Sequence, residues 1–310
     1  MMHFLQTPAW GMFQEALERE VVSASGDGWA YQAVVETGTA NTRLYCPYGP
    51  TVTSVDALGE ALSSLKHEGH SRSVDFIRIE PNGPVTAQDL MQAGCRKVTY
   101  NKLQPEHTQL IDLASLSEEE ILNGMSSTNR NLYRNYEKKG IALHESDDPN
   151  DVELFLTFID KVAHRTGLRP HSNEYFRTQV THLFPIHAAK LFYATVDGVP
   201  AAAAIVYETP ETRYYAHAAA DDEFRSLSPG SVLLAHMIID AKRGGKAIFD
   251  LFGIAPNDDP AHPWAGFTRF KKSFGGQPHD YLGAWDLPLK PLRYYGYVAY
   301  QKLHGLLRRR

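Results

Sequence analysis

The chain has 310 residues, of which 43% are hydrophobic and 22% charged, with a net charge of -5 and a pI near 6.3. This balance excludes a disordered chain. The acidic excess argues against a duplex-DNA partner but leaves room for a grip on a short stretch of RNA backbone. The length exceeds what one compact core usually takes, so two domains are expected. Cys46 and Cys95 lie far apart with no CxxC pattern, which points to a reducing compartment and away from a disulfide scaffold or a zinc site. The start MMHFLQTPAW lacks the basic-then-apolar order of a signal peptide. No apolar run approaches the roughly 20 residues of a membrane span, so a cytoplasmic location is expected.

Strand and helix signals alternate along the chain. Trp29–Val35 and Thr42–Cys46 read as strands separated by polar turn residues. Asp56–Glu68 has helical spacing, with Leu58, Leu62 and Leu65 on one face. Ser73–Glu80 reads as a strand, and Gln88–Ala93 as a short helix stopped by Gly94. The clearest helix is predicted over Ser117–Lys139, with capping-box spacing from Ser117 to Glu120 and a C-terminal stop at Gly140. Asp148-Pro149-Asn150 is turn chemistry, and Val152–Arg165 is a periodic helix. Leu191–Val196 and Pro200–Tyr207 form a predicted hairpin around Asp197-Gly198. A strand over Arg213–Ala218, a helix over Ser231–Arg243, a strand over Lys246–Phe252 and a short helix over Gly266–Phe274 follow. This order resembles half of an acetyltransferase-like α/β fold. The domain boundary is placed near residues 145–150: residues 1–147 form a first domain, 148–287 a second, and a helix over 288–310 returns to complete the first.

Several phrases, in order from about residue 5 to residue 276, carry a family resemblance. They are Tyr45-Cys-Pro-Tyr-Gly-Pro50, Ile79-Glu80-Pro81, Gln104-Pro105 with Thr108 and Asp112-Leu113, and Thr128 to Gly140. Thr166-Gly167 between arginines, Asp250-Leu-Phe-Gly-Ile254 and Phe270-Lys271-Lys272-Ser273-Phe274-Gly275 complete the set. Together they resemble the Fem peptidoglycan-bridge aminoacyl transferases. The resemblance implies two tandem acetyltransferase-like domains, with mixed sheets flanked by helices. It implies transfer of an amino acid from aminoacyl-tRNA to an amine on the stem peptide of a cell-wall precursor, nucleotide-linked or lipid-linked, with no cofactor. Longer members carry a coiled-coil arm, for which Asn173–Ile186 is too short, so the compact type is the closer parallel. Tyr48 stands where many members have an arginine and is the substrate-side candidate of its phrase.

The implied reaction needs a donor for the tetrahedral oxyanion, which typically contributes about 3–4 kcal/mol. Lys271, beside Phe270, matches the lysine of the family's Phe-Lys segment and is the catalytic candidate; Lys272 points to another helical face. Arg165 and Arg169 flank Thr166-Gly167 and suit phosphate or carboxylate bidentately, or act as charges at a helix end. Tyr215 reads as a phosphate-bonding hydroxyl or as a core aromatic with a wet tip. Asp112 and Asp250, near strand ends, could orient the amine or cap turns. Arg130, Arg134 and Lys138 recur every fourth residue, a stripe that could track tRNA phosphates or be a solvated face.

Arg225-Ser-Leu-Ser-Pro-Gly230 resembles the pyrophosphate loop of coenzyme-A acetyltransferases only in degenerate form, because Ser228 stands where a glycine is expected and Pro229 removes a donor, so it is not evidence for acetyl-CoA. An acyl-CoA-dependent N-acyltransferase is the alternative, and a non-catalytic wall-assembly protein the third reading. Fourteen histidines form no metal-ligand pattern, so no metal is expected. The tyrosines of Pro288–Arg310 with its basic end fit either a packed helix or a peripheral contact with an anionic membrane surface.

Overall fold

The computed structural model describes residues 2–39, 41–100, 103–166, 171–257 and 259–307. The chain divides into two compact units, Met1–Glu106 with Asp280–Arg310, and His107–His279. The break thus falls after Glu106 and not near residues 145–150. Strands β7 (His107–Asp112) and β8 (Ile141–Ser146) both join the second sheet. Sheet membership is a non-local choice that the local turn at Asp148-Pro149-Asn150 does not reveal.

The first unit is built on the sheet β1 (Val21–Gly26), β2 (Trp29–Thr37), β3 (Thr42–Cys46), β5 (Phe76–Ile79), β14 (Trp285–Pro288) and β6 (Arg96–Lys97) in that spatial order, with the short β4 (Thr51–Val52) on β2. Among the described residues of this sheet, β3 and β5 are the pair that runs parallel. Helix α2 (Val55–Ser71) starts on Ser54, whose hydroxyl accepts from the Ala57 N–H. It buries Leu58, Ala61, Leu62 and Leu65 against the sheet, the face its spacing predicts. All four residues of β5 are buried, as befits a central strand covered on both faces. Ile77 and Ile79 enter the core under α2, while Phe76 packs on Tyr294 and Tyr297 of α10 (Pro291–Leu307).

Arg78, also on β5, is fully buried and forms a two-pronged ion pair with Asp286 of β14, at 2.7 and 2.9 Å. Tyr100 donates to Asp286 at 2.8 Å and accepts from Arg78 at 3.0 Å. The helix predicted after residue 288 thus packs on the first unit together with a strand that precedes it.

The second unit holds the sheet β13 (Gln277–Asp280), β7, β12 (Ile248–Gly253), β11 (Thr212–Ala220), β10 (Val199–Glu208), β9 (Ala189–Val196) and β8. The β9–β10 turn has φ 49° at Asp197 and 83° at Gly198, the double positive φ of a type I′ hairpin. One face carries α8 (Pro229–Arg243), α4 (Glu118–Gly124) and α5 (Ser127–Arg134); α6 (Val152–Thr166) and α7 (Asn173–Leu183) pack together, with α6 against β10 and β11.

The single helix predicted over Ser117–Lys139 is broken. The Ser117 capping box is present, but the chain restarts at Ser126, whose hydroxyl caps α5 through the Asn129 N–H and whose own N–H donates to the Ser273 carbonyl at 2.8 Å. A second capping serine therefore outcompetes helix continuation. Lys138 lies in a separate 3-10 turn, Glu137–Lys139, closed by Gly140 at φ 70°. Arg130 and Arg134 share a face of α5, and Lys138 does not extend it.

Replacing Asp286 by alanine leaves Arg78 buried without its counter-charge. The expected loss is about 3–5 kcal/mol, read as a lower urea midpoint in equilibrium unfolding.

Candidate functional site

Strands β11 and β12 run parallel and pair over Thr212–Tyr214 and Ile248–Asp250. Beyond Tyr214, β11 continues along β10 to Ala220, while β12 follows β7. The pairing of β12 with β7 slips between Asp250 and Gly253: Asp250 faces Leu110 and Gly253 faces Thr108, three steps on one strand against two on the other. This is a β-bulge, a device that re-aims backbone groups. At its centre Phe252 has φ 61°, a left-handed backbone that a bulky residue adopts only when its surroundings hold it.

Asp250 does the holding. It is 2% exposed, and its Oδ1 accepts from the Phe252 N–H at 2.7 Å and from the Thr108 hydroxyl. Burial pushes its carboxyl above the ordinary value, while those two donors and the Lys271 charge act the other way. Of the two readings open to Asp250, orienting an amine or capping a turn, these bonds fit the second. Asp250 lies beneath the backbone it shapes, because a carboxylate at this depth must spend its lone pairs on protein donors.

Lys271 sits in the last turn of α9 (Ala265–Lys272) and donates from Nζ to the Gly253 carbonyl at 2.8 Å. The bulge thus presents an acceptor to the ammonium group. The side chain is half-buried, and burial lowers its pKa to about 8, with the Asp250 charge opposing that shift. Helix α9 is fixed at both ends. Thr268 accepts from the Ala255 N–H at 2.8 Å. At the other end Asn129 of α5 donates to the Ser273 hydroxyl at 2.8 Å, and Gln109 of β7 donates to the Gly275 carbonyl at 2.8 Å. Gly275 and Gly276 have φ 89° and 78°, and a Cβ on Gly276 would lie 2.2 Å from the Leu110 carbonyl oxygen. Two consecutive glycines are what allow the helix to stop against β7.

The remaining predicted residues are not all gathered here. Phe270 packs on the core of the second unit and meets Phe274 edge-on at 5.2 Å; it anchors the turn bearing Lys271 and has no polar group to act in chemistry. Asp112 is exposed, accepts from the Ser115 N–H and hydroxyl, and has its pKa lowered by those bonds. It faces Ile248 in the register, whereas Thr108 faces Gly253, so the two lie at opposite ends of β7, roughly 13 Å apart at strand rise. The turn reading of Asp112 is thus the one the geometry supports.

Tyr215 packs partly into the core beside the point where β11 and β12 part, and burial pushes its hydroxyl pKa up. Arg165 lies in the last turn of α6, and Arg169 is outside the described residues. Arg134 is exposed, while Arg130 donates to the Asn123 carbonyl at 3.2 Å and Lys138 to Asn135 at 3.0 Å.

Tyr48 belongs to the first unit. It is 3% exposed, stacks on His3 at 3.8 Å and donates from its hydroxyl to the Pro105 carbonyl at 3.0 Å. A buried ring whose hydroxyl is already engaged is a packing element, which corrects the expectation of a substrate contact.

Residues that were not singled out also emerge. Thr108 and Gln109 fasten the bulge and the helix stop, and Thr108 lies within a quoted phrase. Glu80, in the Ile-Glu-Pro phrase, is 4% exposed. It accepts from the Tyr45 hydroxyl and the Tyr48 N–H, each at 3.1 Å, and burial raises its pKa to about 7. A chain of hydrogen bonds runs from buried Gln179 through the Tyr207 hydroxyl at 2.7 Å to half-buried His217 at Nε2, 2.8 Å; nothing in the local sequence signals it. Among the described residues no cluster of histidine, cysteine or carboxylate side chains could hold a metal ion, and no helix is long and apolar enough to cross a membrane. A cleft of about 280 Å³ in the first unit, lined by Gln6, Ser23, Ser25, Tyr31 and Gln32 among others, contains none of the predicted site residues.

Residues 125–271 match the acetyltransferase (GNAT) domain family. No curated protein sequence matches the chain. Among solved structures, FemX superposes with a TM-score of 0.84 at 18% identity, covering 94% of each chain. The C-terminal domain of a putative lysylphosphatidylglycerol synthetase from Agrobacterium fabrum gives 0.64 at 12% identity, covering 96% of this chain and 92% of that one. A tandem GNAT protein from the clavulanic acid biosynthesis pathway gives 0.52 at 15% identity, covering 87% and 83%.

Competitive amine labelling should give Lys271 a titration midpoint near pH 8, against about 10.4 for an ordinary lysine. Asp250→Asn keeps an acceptor for Thr108 and Phe252 but removes the charge, so the midpoint should fall further; an unchanged midpoint would disconnect the two groups. The chain has the fold of FemX, and within its second unit lies the stretch that matches the acetyltransferase (GNAT) domain family.

Proposed function

We propose that this protein transfers an amino acid from aminoacyl-tRNA to an amine on the stem peptide of a peptidoglycan precursor. The reading is supported by the FemX fold over 94% of the chain and is carried by one observation: a partly desolvated lysine, held against a bulge carbonyl, ends the helix that the Phe-Lys phrase predicts. The acceptor amine nitrogen attacks the ester carbonyl carbon. A C–N bond forms, the bond from that carbon to the ribose oxygen breaks, and the amine proton passes to the leaving ribose oxygen. No oxidant or cofactor is needed, since aminoacyl-tRNA is the co-substrate.

One N–H of the Lys271 ammonium is committed to Gly253, and the others are available for the oxyanion. The charge also disfavours a protonated acceptor: freeing an ordinary lysine amine at pH 7 costs about 4–5 kcal/mol, and a neighbouring cation lowers that cost. Arg165, Arg169 and Tyr215 are the proposed handles for precursor phosphates and carboxylates, and Arg130 with Arg134 for the tRNA backbone.

The second reading is acyl-CoA-dependent N-acylation, favoured by the acetyltransferase match over residues 125–271. Against it, Pro229 occupies the first turn of α8 after Ser228 at φ 54°, removing a backbone donor where a pyrophosphate would seat. Incubation with mixed charged tRNAs and a muramyl-pentapeptide precursor, with a parallel arm containing acetyl-CoA, separates the two by product mass.

Lys271→Ala should lower tRNA-dependent transfer at least ~100-fold, and wild-type turnover in that variant would remove the assignment. Because the lysine acts as a cation, the wild-type rate should decline as pH rises through about 8. Arg134→Glu should weaken tRNA binding, measured at low salt by filter retention, and unchanged affinity would detach α5 from the RNA.

A further inference from the structure

Helix α10 has two apolar faces. One is buried, with Tyr297 stacked on Phe76 at 5.3 Å and edge-on to Tyr100 at 6.1 Å. The other is open: Leu292 is 91% exposed, Leu303 60% and Tyr295 55%, and Ala299 between them is exposed too. Positions 292, 295, 299 and 303 fall on one helical stripe, three turns long. Single exposed leucines need no explanation, but a continuous apolar stripe marks an interaction surface.

Charge identifies the partner. From Leu287 onward the sequence carries Lys290, Arg293, Lys302, Arg308, Arg309 and Arg310 and no aspartate or glutamate, in a chain whose net charge is -5. Asp75 lies 3.4 Å from Lys290 and 3.2 Å from Arg293 and offsets one of these charges; Lys302 is exposed. A second copy of the chain would set two basic segments face to face, which is repulsive. An RNA strand would seek stacking rings along the stripe, whereas its two ends are leucines. An anionic bilayer answers both features, since its headgroups attract the cations and its acyl boundary takes the leucines.

We propose that α10 docks this protein flat on an anionic membrane surface through Leu292, Tyr295, Ala299 and Leu303. The inference goes beyond the transfer reaction and is tested without it. The full chain is cosedimented with vesicles of phosphatidylglycerol mixed with phosphatidylcholine, and with phosphatidylcholine alone. Partition into the anionic vesicles should be at least about tenfold greater and should collapse at high salt. Leu292→Glu with Leu303→Glu should lower it at least about tenfold, and Lys302→Glu about fivefold, the equivalent of roughly 1 kcal/mol per basic residue. Both leucines are at least 60% exposed, so the thermal midpoint should not move; if it does, the Lys302→Glu and salt arms still decide. Equal binding to the two vesicle types, or a double variant that binds them as the wild type does, overturns the proposal. So does a double variant that loses RNA binding or self-association while keeping vesicle binding.

Discussion

The bond from Lys271 to the Gly253 carbonyl organises the second unit's candidate site. An ammonium group taken from water needs an acceptor and a counter-charge. The Gly253 carbonyl belongs to the bulge, where Asp250 holds the Phe252 N–H in a left-handed turn. The counter-charge and the acceptor thus have one origin. Lys271 gains a hydrogen bond and partial electrostatic support, yet stays desolvated enough for its pKa to fall to about 8. A lysine in that state is still mostly charged at neutral pH and poorly solvated, the condition under which its hydrogen bonds act most strongly on a developing negative charge.

The helix bearing Lys271 is held by groups from two distant parts of the chain, α5 and β7. Asn129 and Gln109 bond to the residues that end it, and the Gly275-Gly276 pair lets the chain press onto the Leu110 carbonyl. Such support from surrounding elements limits the freedom of the ammonium group, which its proposed role as an oxyanion donor requires. Asp250, Thr108 and Phe270 act on Lys271 through structure, and in this sense they are positioning residues.

The elements with strong local signals were legible in the sequence. The Asp197-Gly198 hairpin, the helix under Leu58, Leu62 and Leu65, and the short helix ending in Lys271 follow from turn chemistry and periodicity, and each is found within a few residues of its expected bounds. The Phe-Lys phrase falls on a helix, as its spacing predicts. What was not legible depends on contacts across long separations. The break at Ser126 competes with a helix of good local propensity and is reinforced by the Ser273 carbonyl. The boundary at Glu106 reflects which sheet β7 and β8 join. Asp112 and Asp250 look alike in sequence, as aspartates near strand ends, and only register separates an exposed turn cap from a buried clamp. Tyr48 likewise reads as a replacement for a ligand-binding arginine, and only its packing shows the hydroxyl already engaged by Pro105.

The place of β14 has a consequence for biosynthesis. Residues 285–288 lie between β5 and β6 in the first sheet, and the Arg78–Asp286 pair spans 208 positions of the chain. As the polypeptide emerges from the ribosome, β5 has no neighbour on one side until β14 has been made. The second unit, by contrast, is a single uninterrupted stretch and can complete itself earlier. Vectorial synthesis therefore favours an order in which the later-encoded unit matures first, and the nascent N-terminal segment waits with an open, apolar strand edge that is a natural client for chaperones.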